Sequence, residues 1–303
     1  MKAHVRILDL SPLLDRLKEG KRLYEIEKKT LFECKILTSA DITEIKDEIF
    51  GYLPPQSEKN EENTLETVFD CEQNTLDVGR IFDETLKCGE KSLENTKNID
   101  EVVSMLPIFY QNYIKEAKND VKKAEKLGAF LLLSSLYYNF FSTSLPEFAK
   151  NEKGKPYFPD NRAIFSISHS NNLVCVAFCP CEWGKEVENT DKTEKSGEVA
   201  KNYTSIGVDL EAKVDALDKK ALEGAEKTAK RFFPTGESDK INALCKEEFT
   251  DAFALIWTLR ESYVKMTGDG FSHFKTADFS SAITRSYRVK TNGKEFILSL
   301  CIG

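Results

Sequence analysis

Ile206-Gly207-Val208-Asp209-Leu210-Glu211 decides how the second half of this chain folds. Apolar residues at 206, 208 and 210 alternate with Gly207, Asp209 and Glu211, the period of a strand with one face in a core. Both carboxylates therefore share the other face. Such a pair suits a wetted polar surface, or a hard divalent cation held between the oxygens, with Gly207 leaving room for a close approach.

Outward from this strand, hairpins mix with helices. Residues 163–168 and 173–178 predict a hairpin turning at Ser170-Asn171-Asn172, and residues 205–211 predict the far strand of a second hairpin. Its connection, residues 181–204, is rich in Glu, Lys, Asn, Thr and Ser and predicts a solvent-exposed insertion beside the fold. Helical periodicity covers 217–232 and 247–266, the latter closed by Gly268, and Asn292-Gly293 marks a tight turn between strands at 286–290 and 295–301. In the first half, alternation from His4 to Ile7 predicts an opening strand, and residues 99–118 and 120–141 predict helices. Residues 41–100 form an acidic, polar insertion, with a surface loop at 54–63. Strands joined mostly by hairpins and mixed with helices point to an α+β fold with mostly antiparallel sheets rather than a parallel doubly wound one.

Bulk properties bound the function. A length of 303 residues accommodates two domains, and 41% hydrophobic with 31% charged residues is the balance of a soluble globular chain. A net charge of −7 argues against a nucleic-acid partner, because phosphate contacts need surplus Lys and Arg. The longest apolar run, near residues 129–133, falls far short of the ~20 residues that cross a bilayer, and the first residues lack a signal peptide's apolar core. Those features predict a cytoplasmic protein with no membrane partner, whose eight cysteines stay reduced. Cys175, Cys179 and Cys181 lack the second pair that a zinc site needs.

Two further segments carry chemistry. Trp257, Glu261 and Lys265 fall at i, i+4 and i+8 of the 247–266 helix, so they form one stripe: either a packed tryptophan followed by a surface ion pair, or an acid and a base held a turn apart. Gly154-Lys155-Pro156-Tyr157 and Phe165-Ser166-Ile167-Ser168-His169-Ser170 bring a lysine, hydroxyls and one of three histidines near a strand end, all types that bind anions. No Gly-x-Ser-x-Gly elbow accompanies them, which argues against a serine hydrolase.

In this order, Lys155-Pro156, Ser166-x-Ser168-His169-Ser170, Ile206-Gly207-Val208-Asp209-x-Glu211 and Trp257-x-x-x-Glu261-Ser262-x-x-Lys265 resemble the Sfp-type phosphopantetheinyl transferase family. Arg231-Phe232-Phe233 and Gly268-Asp269-Gly270 extend the resemblance, which runs from Lys155 to Gly270. It implies transfer of 4'-phosphopantetheine from coenzyme A to a serine of an acyl or peptidyl carrier protein, with 3',5'-ADP leaving. It further implies that Asp209, Glu211 and Glu261 ligate Mg2+, that Glu261 is the catalytic base and that Lys265 holds a phosphate oxygen. Lys155, Ser168 and His169 would grip the 3'-phosphate side of coenzyme A. Arg260 stands where the family has lysine and would bring a planar guanidinium to the coenzyme A site. By the same resemblance the chain is a monomer of two similar α+β halves, residues 1–150 and 151–303. Two rivals are a non-catalytic relative that binds coenzyme A or a nucleotide, and a metal-dependent phosphohydrolase.

Overall fold

In the computed structural model, which describes residues 2–19, 21, 24–25, 30–31, 35–45, 66–69, 96–181 and 205–303, the opening alternation forms β1 (Lys2–Asp9). β1 pairs antiparallel with β10 (Leu173–Pro180), which pairs antiparallel with β9 (Ala163–Ser170). Asn171 and Asn172 make the β9–β10 turn in left-handed conformation, φ 46° and 69°, which asparagine tolerates better than most residues. The other edge of β1 takes β4 (Lys35–Ile36) antiparallel and β6 (Glu66–Phe69) parallel. The second sheet runs β11 (Ile206–Ala212), β13 (Lys294–Ile302), β12 (Ile283–Thr291), β5 (Ile42–Glu44), all antiparallel, with β12 and β13 joined at Asn292-Gly293. Two short pairs, β2 (Tyr24–Glu25) with β3 (Thr30–Leu31) and β7 (Ala149–Lys150) with β8 (Pro156–Tyr157), complete the strands among the described residues.

Alternation makes both sheets two-faced. Val5 and Ile7 of β1 and Cys175 and Ala177 of β10 meet Val208 and Leu210 of β11 and Leu298 and Leu300 of β13 in one buried cluster, so the sheets pack face to face. The opposite face of the first sheet, through Leu8, Val174, Val176 and Phe178, is covered by α4 (Asp120–Phe141). The opposite face of the second is covered by α7 (Lys246–Thr267), whose Leu255 and Leu259 pack on Ile297. Four further helices, α1 (Ser11–Lys18), α2 (Ile99–Ser104), α3 (Ile108–Lys115) and α5 (Lys219–Phe232), together with α6 (Thr235–Asn242), flank these two. None of the described helices is long and apolar enough to cross a membrane.

The fold corrects several sequence expectations. Residues 99–118 form two helices because Pro107, the N-cap of α3, cannot donate a backbone hydrogen bond and biases Leu106 away from helix. The strand at 205–211 was expected to pair back on 173–178. It pairs with β13 instead, because both edges of β10 are already taken by β1 and β9. The sheets also interleave: β9 and β10, from beyond residue 150, join β1, while β5 joins the second sheet. The insertion expected at 181–204, past Cys181, and most of the one at 41–100, with its loop at 54–63, lie outside the described residues.

Candidate active site

Gly207 explains how strand and helix meet. A Cβ built there would sit 1.9 Å from the carbonyl oxygen of Ser262 and 2.4 Å from the amide nitrogen of Met266. The space that the sequence suggested for a cation is filled by the backbone of α7. As a result α7 lies directly on β11, and the Glu261–Lys265 stripe faces the Asp209–Glu211 pair.

There, Lys265 Nζ lies 2.6 Å from Asp209 Oδ1 and 3.1 Å from Ser168 Oγ. Asp209 is buried, and its Oδ2 has no hydrogen-bond partner among the described residues. Glu211 and Glu261 are both held above the ordinary carboxylate range, first by burial and then by the Asp209 charge, with Lys265 pulling the other way. Three carboxylates against one ammonium leave the cluster short of positive charge.

The strand beside β11 is β9, attached through side chains rather than a backbone ladder. Ser166, Ser168 and Ser170 accept the amide N–H groups of Val208, Leu210 and Ala212 at 3.0, 3.1 and 3.2 Å. Ser168 donates to Asp209 Oδ1 at 2.7 Å, and Ser170 donates to Glu211 Oε1 at 3.1 Å. The Ser168 and Ser170 hydroxyls thus each serve as donor and acceptor at once.

Other residues singled out from the sequence fall around this cluster in different roles. His169, on the opposite face of β9, is half-exposed with Nδ1 3.4 Å from Glu125 Oε2, and Lys122 Nζ lies 2.6 Å from the same oxygen. Partial burial first, then the nearby lysines, draw its pKa down against the pull of Glu125. Lys155 donates to the carbonyl oxygens of Met266, near the end of α7, and of Ile206, at the start of β11, and burial lowers its pKa to about 8. Gly268, left-handed at φ 72°, ends the helix there and makes way for the Lys155 stem, since a Cβ would come within 3.1 Å of Lys155 Cδ. Arg260 is buried and spent on the scaffold: it bonds both carboxylate oxygens of Glu237 at 3.2 and 2.7 Å and the carbonyl oxygen of Phe274 at 2.8 Å. Its guanidinium, expected at the coenzyme A site, ties α7 to α6 and to the segment after α7. Trp257 stacks on Phe253 and touches Phe271 and Phe274, which anchors the start of the stripe.

Residues 205–302, the span that holds Asp209, Glu211, Glu261 and Lys265, match the model of the 4'-phosphopantetheinyl transferase superfamily. Among similar proteins, the 4'-phosphopantetheinyl transferase HetI of Nostoc sp. (strain PCC 7120) is 30% identical over 150 residues, 48% of this chain and 51% of HetI. The 4'-phosphopantetheinyl transferase Sfp of Bacillus subtilis (strain 168) is 32% identical over 126 residues, 41% of this chain and 42% of Sfp. The chain thus matches about half the length of these curated relatives or less.

Within the matched span, the donor set is the informative part. Among the described residues no three His, Cys, Asp or Glu side chains are already gathered as a metal-binding group. The ammonium of Lys265 sits on the cluster instead. Even so, an orphaned, buried Asp209 Oδ2 flanked by two further carboxylates offers the all-oxygen surroundings that a hard cation satisfies. Sequence reasoning did not find the joining role of Ser166 and Ser170, nor Glu125 beneath His169. The period-two run of serines at 166, 168 and 170 was the available signal for the first. Nothing local pointed to Glu125, which arrives from α4.

Proposed function

We propose that this chain transfers the 4'-phosphopantetheine group of coenzyme A to a serine of an acyl or peptidyl carrier protein, with Mg2+ as cofactor. The observation that carries the proposal is the meeting of Asp209, Glu211, Glu261 and Lys265 at the β11–α7 contact, inside the span that matches the superfamily. In this reading Asp209, through Oδ2, with Glu211 and Glu261, holds Mg2+. The bound ion would neutralise the pyrophosphate of coenzyme A.

Glu261 serves as base. Its raised pKa favours taking the hydroxyl proton of the carrier serine, whose oxygen then bonds to phosphorus as the bond to 3',5'-ADP breaks. Two of the three Lys265 N–H groups go to Asp209 and Ser168, and the third is assigned to the charge that gathers on the leaving phosphate. His169, half-exposed beside Lys122, is the better candidate for the 3'-phosphate of coenzyme A, since Lys155 and Ser168 are already engaged. The proposal takes the protein to act in the cytoplasm as a monomer of two related halves, and the 22-residue helix on each sheet supports that last element.

Incubation with Mg2+, coenzyme A and a panel of apo acyl and peptidyl carrier proteins tests the proposal. The expected result is a phosphopantetheine mass increment on the carrier serine, abolished in Glu261→Ala. Tight coenzyme A binding with no carrier modified would refute transfer in favour of a binding protein, and release of phosphate without a carrier would indicate a hydrolase.

A further inference from the structure

The contacts between β9 and β11 repeat with a fixed offset. Ser168 accepts from Leu210 N–H and donates to the carboxylate one residue earlier, Asp209; Ser170 accepts from Ala212 N–H and donates to the carboxylate one residue earlier, Glu211. Ser166 accepts from Val208 N–H in the same way, but the residue one earlier is Gly207, so its hydroxyl meets no acid among the described residues. Two rungs of the ladder therefore hold both backbone and carboxylate, and the third holds backbone alone.

We infer that Ser168 and Ser170 are positioning residues that set the orientation of the Asp209 and Glu211 carboxylates toward the cation, a role that rests on the proposed metal site. The chemistry follows from which oxygens are spent. Ser168 and Lys265 both occupy Asp209 Oδ1, which leaves Oδ2 as the oxygen of that carboxylate with no partner among the described residues. A carboxylate fixed by one oxygen presents the other in one direction, so no rotamer has to be frozen when the cation arrives. Ser170 does the same for Glu211, whose flexible stem has more freedom to lose. Because β9 carries both serines two residues apart on one face, the pleat of a single strand sets the spacing of the two ligands. His169, between them, points to the other face and takes no part.

The test uses the full chain and Mn2+ alone, with the dissociation constant read from the electron paramagnetic resonance of free Mn2+. Removing a partner that orients a metal ligand typically weakens metal affinity by about 10- to 100-fold. Ser168→Ala and Ser170→Ala are each expected to weaken Mn2+ binding by about 10-fold or more, and Ser170→Thr to stay within about threefold of wild type because it keeps the hydroxyl. Ser166→Ala, the rung without an acid, is expected to bind Mn2+ within about twofold of wild type. Coenzyme A affinity measured in chelator is expected to be unchanged in all four.

Equal weakening by Ser166→Ala would overturn the inference, since the ladder would then act only by placing β11. Unchanged Mn2+ affinity with weakened coenzyme A binding in Ser168→Ala and Ser170→Ala would overturn it in favour of direct contact with the donor. Wild-type protein that binds no Mn2+, with or without coenzyme A, would overturn the metal site itself and this inference with it.

Discussion

Gly207→Ala is the sharpest perturbation of the site, because the added methyl meets backbone rather than a side chain that can swing away. The new Cβ would lie 1.9 Å from Ser262 O and 2.4 Å from Met266 N, and its third neighbour, Met266 Cα, is at 3.0 Å. Ordinary contact begins near ~3.4 Å, so α7 must retreat by roughly 1.5 Å or β11 must bend by as much. Either movement pulls the Lys265–Asp209 pair, now at 2.6 Å, out of hydrogen-bond range. Overpacking costs about 1–3 kcal/mol or more, and loosening a mostly buried, hydrogen-bonded pair adds on the order of 1–2 kcal/mol. The sum, roughly 2–5 kcal/mol, corresponds to a fall in Tm of about 3–8 °C for a chain of this size. Thermal denaturation followed by circular dichroism measures it, beside Gly224→Ala in exposed α5, where a Cβ meets nothing within 4 Å and the helix should gain about 0.5–1 kcal/mol. The transfer assay should show loss of activity in Gly207→Ala alone. A Gly207→Ala protein that melts within about 1 °C of wild type and still modifies carriers would refute the close approach of α7 to β11.

Three further outcomes follow from the same geometry. Glu261→Gln should stabilise the metal-free protein by about 1 kcal/mol, because it removes one of three crowded acids; since the folded-state pKa of Glu261 is raised, the advantage should be absent at low pH and grow as pH rises through that pKa, as denaturant melts in chelator from pH 4.5 to 8 would show. Lys155 has the opposite sign. Its pKa of about 8 lies below the unfolded value of 10.5, so the unfolded chain binds more protons between them, and wild-type stability relative to Lys155→Met should rise from pH 8 towards 10.5. Arg260→Lys should lower stability by about 1–3 kcal/mol in urea melts, since a lysine cannot span Glu237 and the Phe274 carbonyl together, while coenzyme A affinity measured calorimetrically stays unchanged.

Much of the site was legible in the sequence because it is written in local periods. Alternation from Ile206 to Glu211 placed both acids on one strand face, and i, i+4 spacing placed Glu261 a turn before Lys265; backbone geometry enforces both whatever surrounds them. Asn292-Gly293 called for its tight turn for the same reason, and Gly268 for the end of α7. Meetings between distant segments were not legible. Arg260 and Glu261 are neighbours in sequence, yet a helix turns them about 100° apart, and only the packed neighbours decide that one meets Glu237 and the other the acid cluster.

Sequence by itself determined which residues share a face: Asp209 with Glu211, Trp257 with Glu261 and Lys265, Ser166 with Ser168 and Ser170. Tertiary structure decided what each face meets. The edges of β10 were filled by β1 and β9, so β11 went to the second sheet and met β9 through serine hydroxyls. At Gly207 the same packing replaced an expected gap for a cation with the backbone of α7, because a helix pressed on a sheet takes any space a missing side chain leaves.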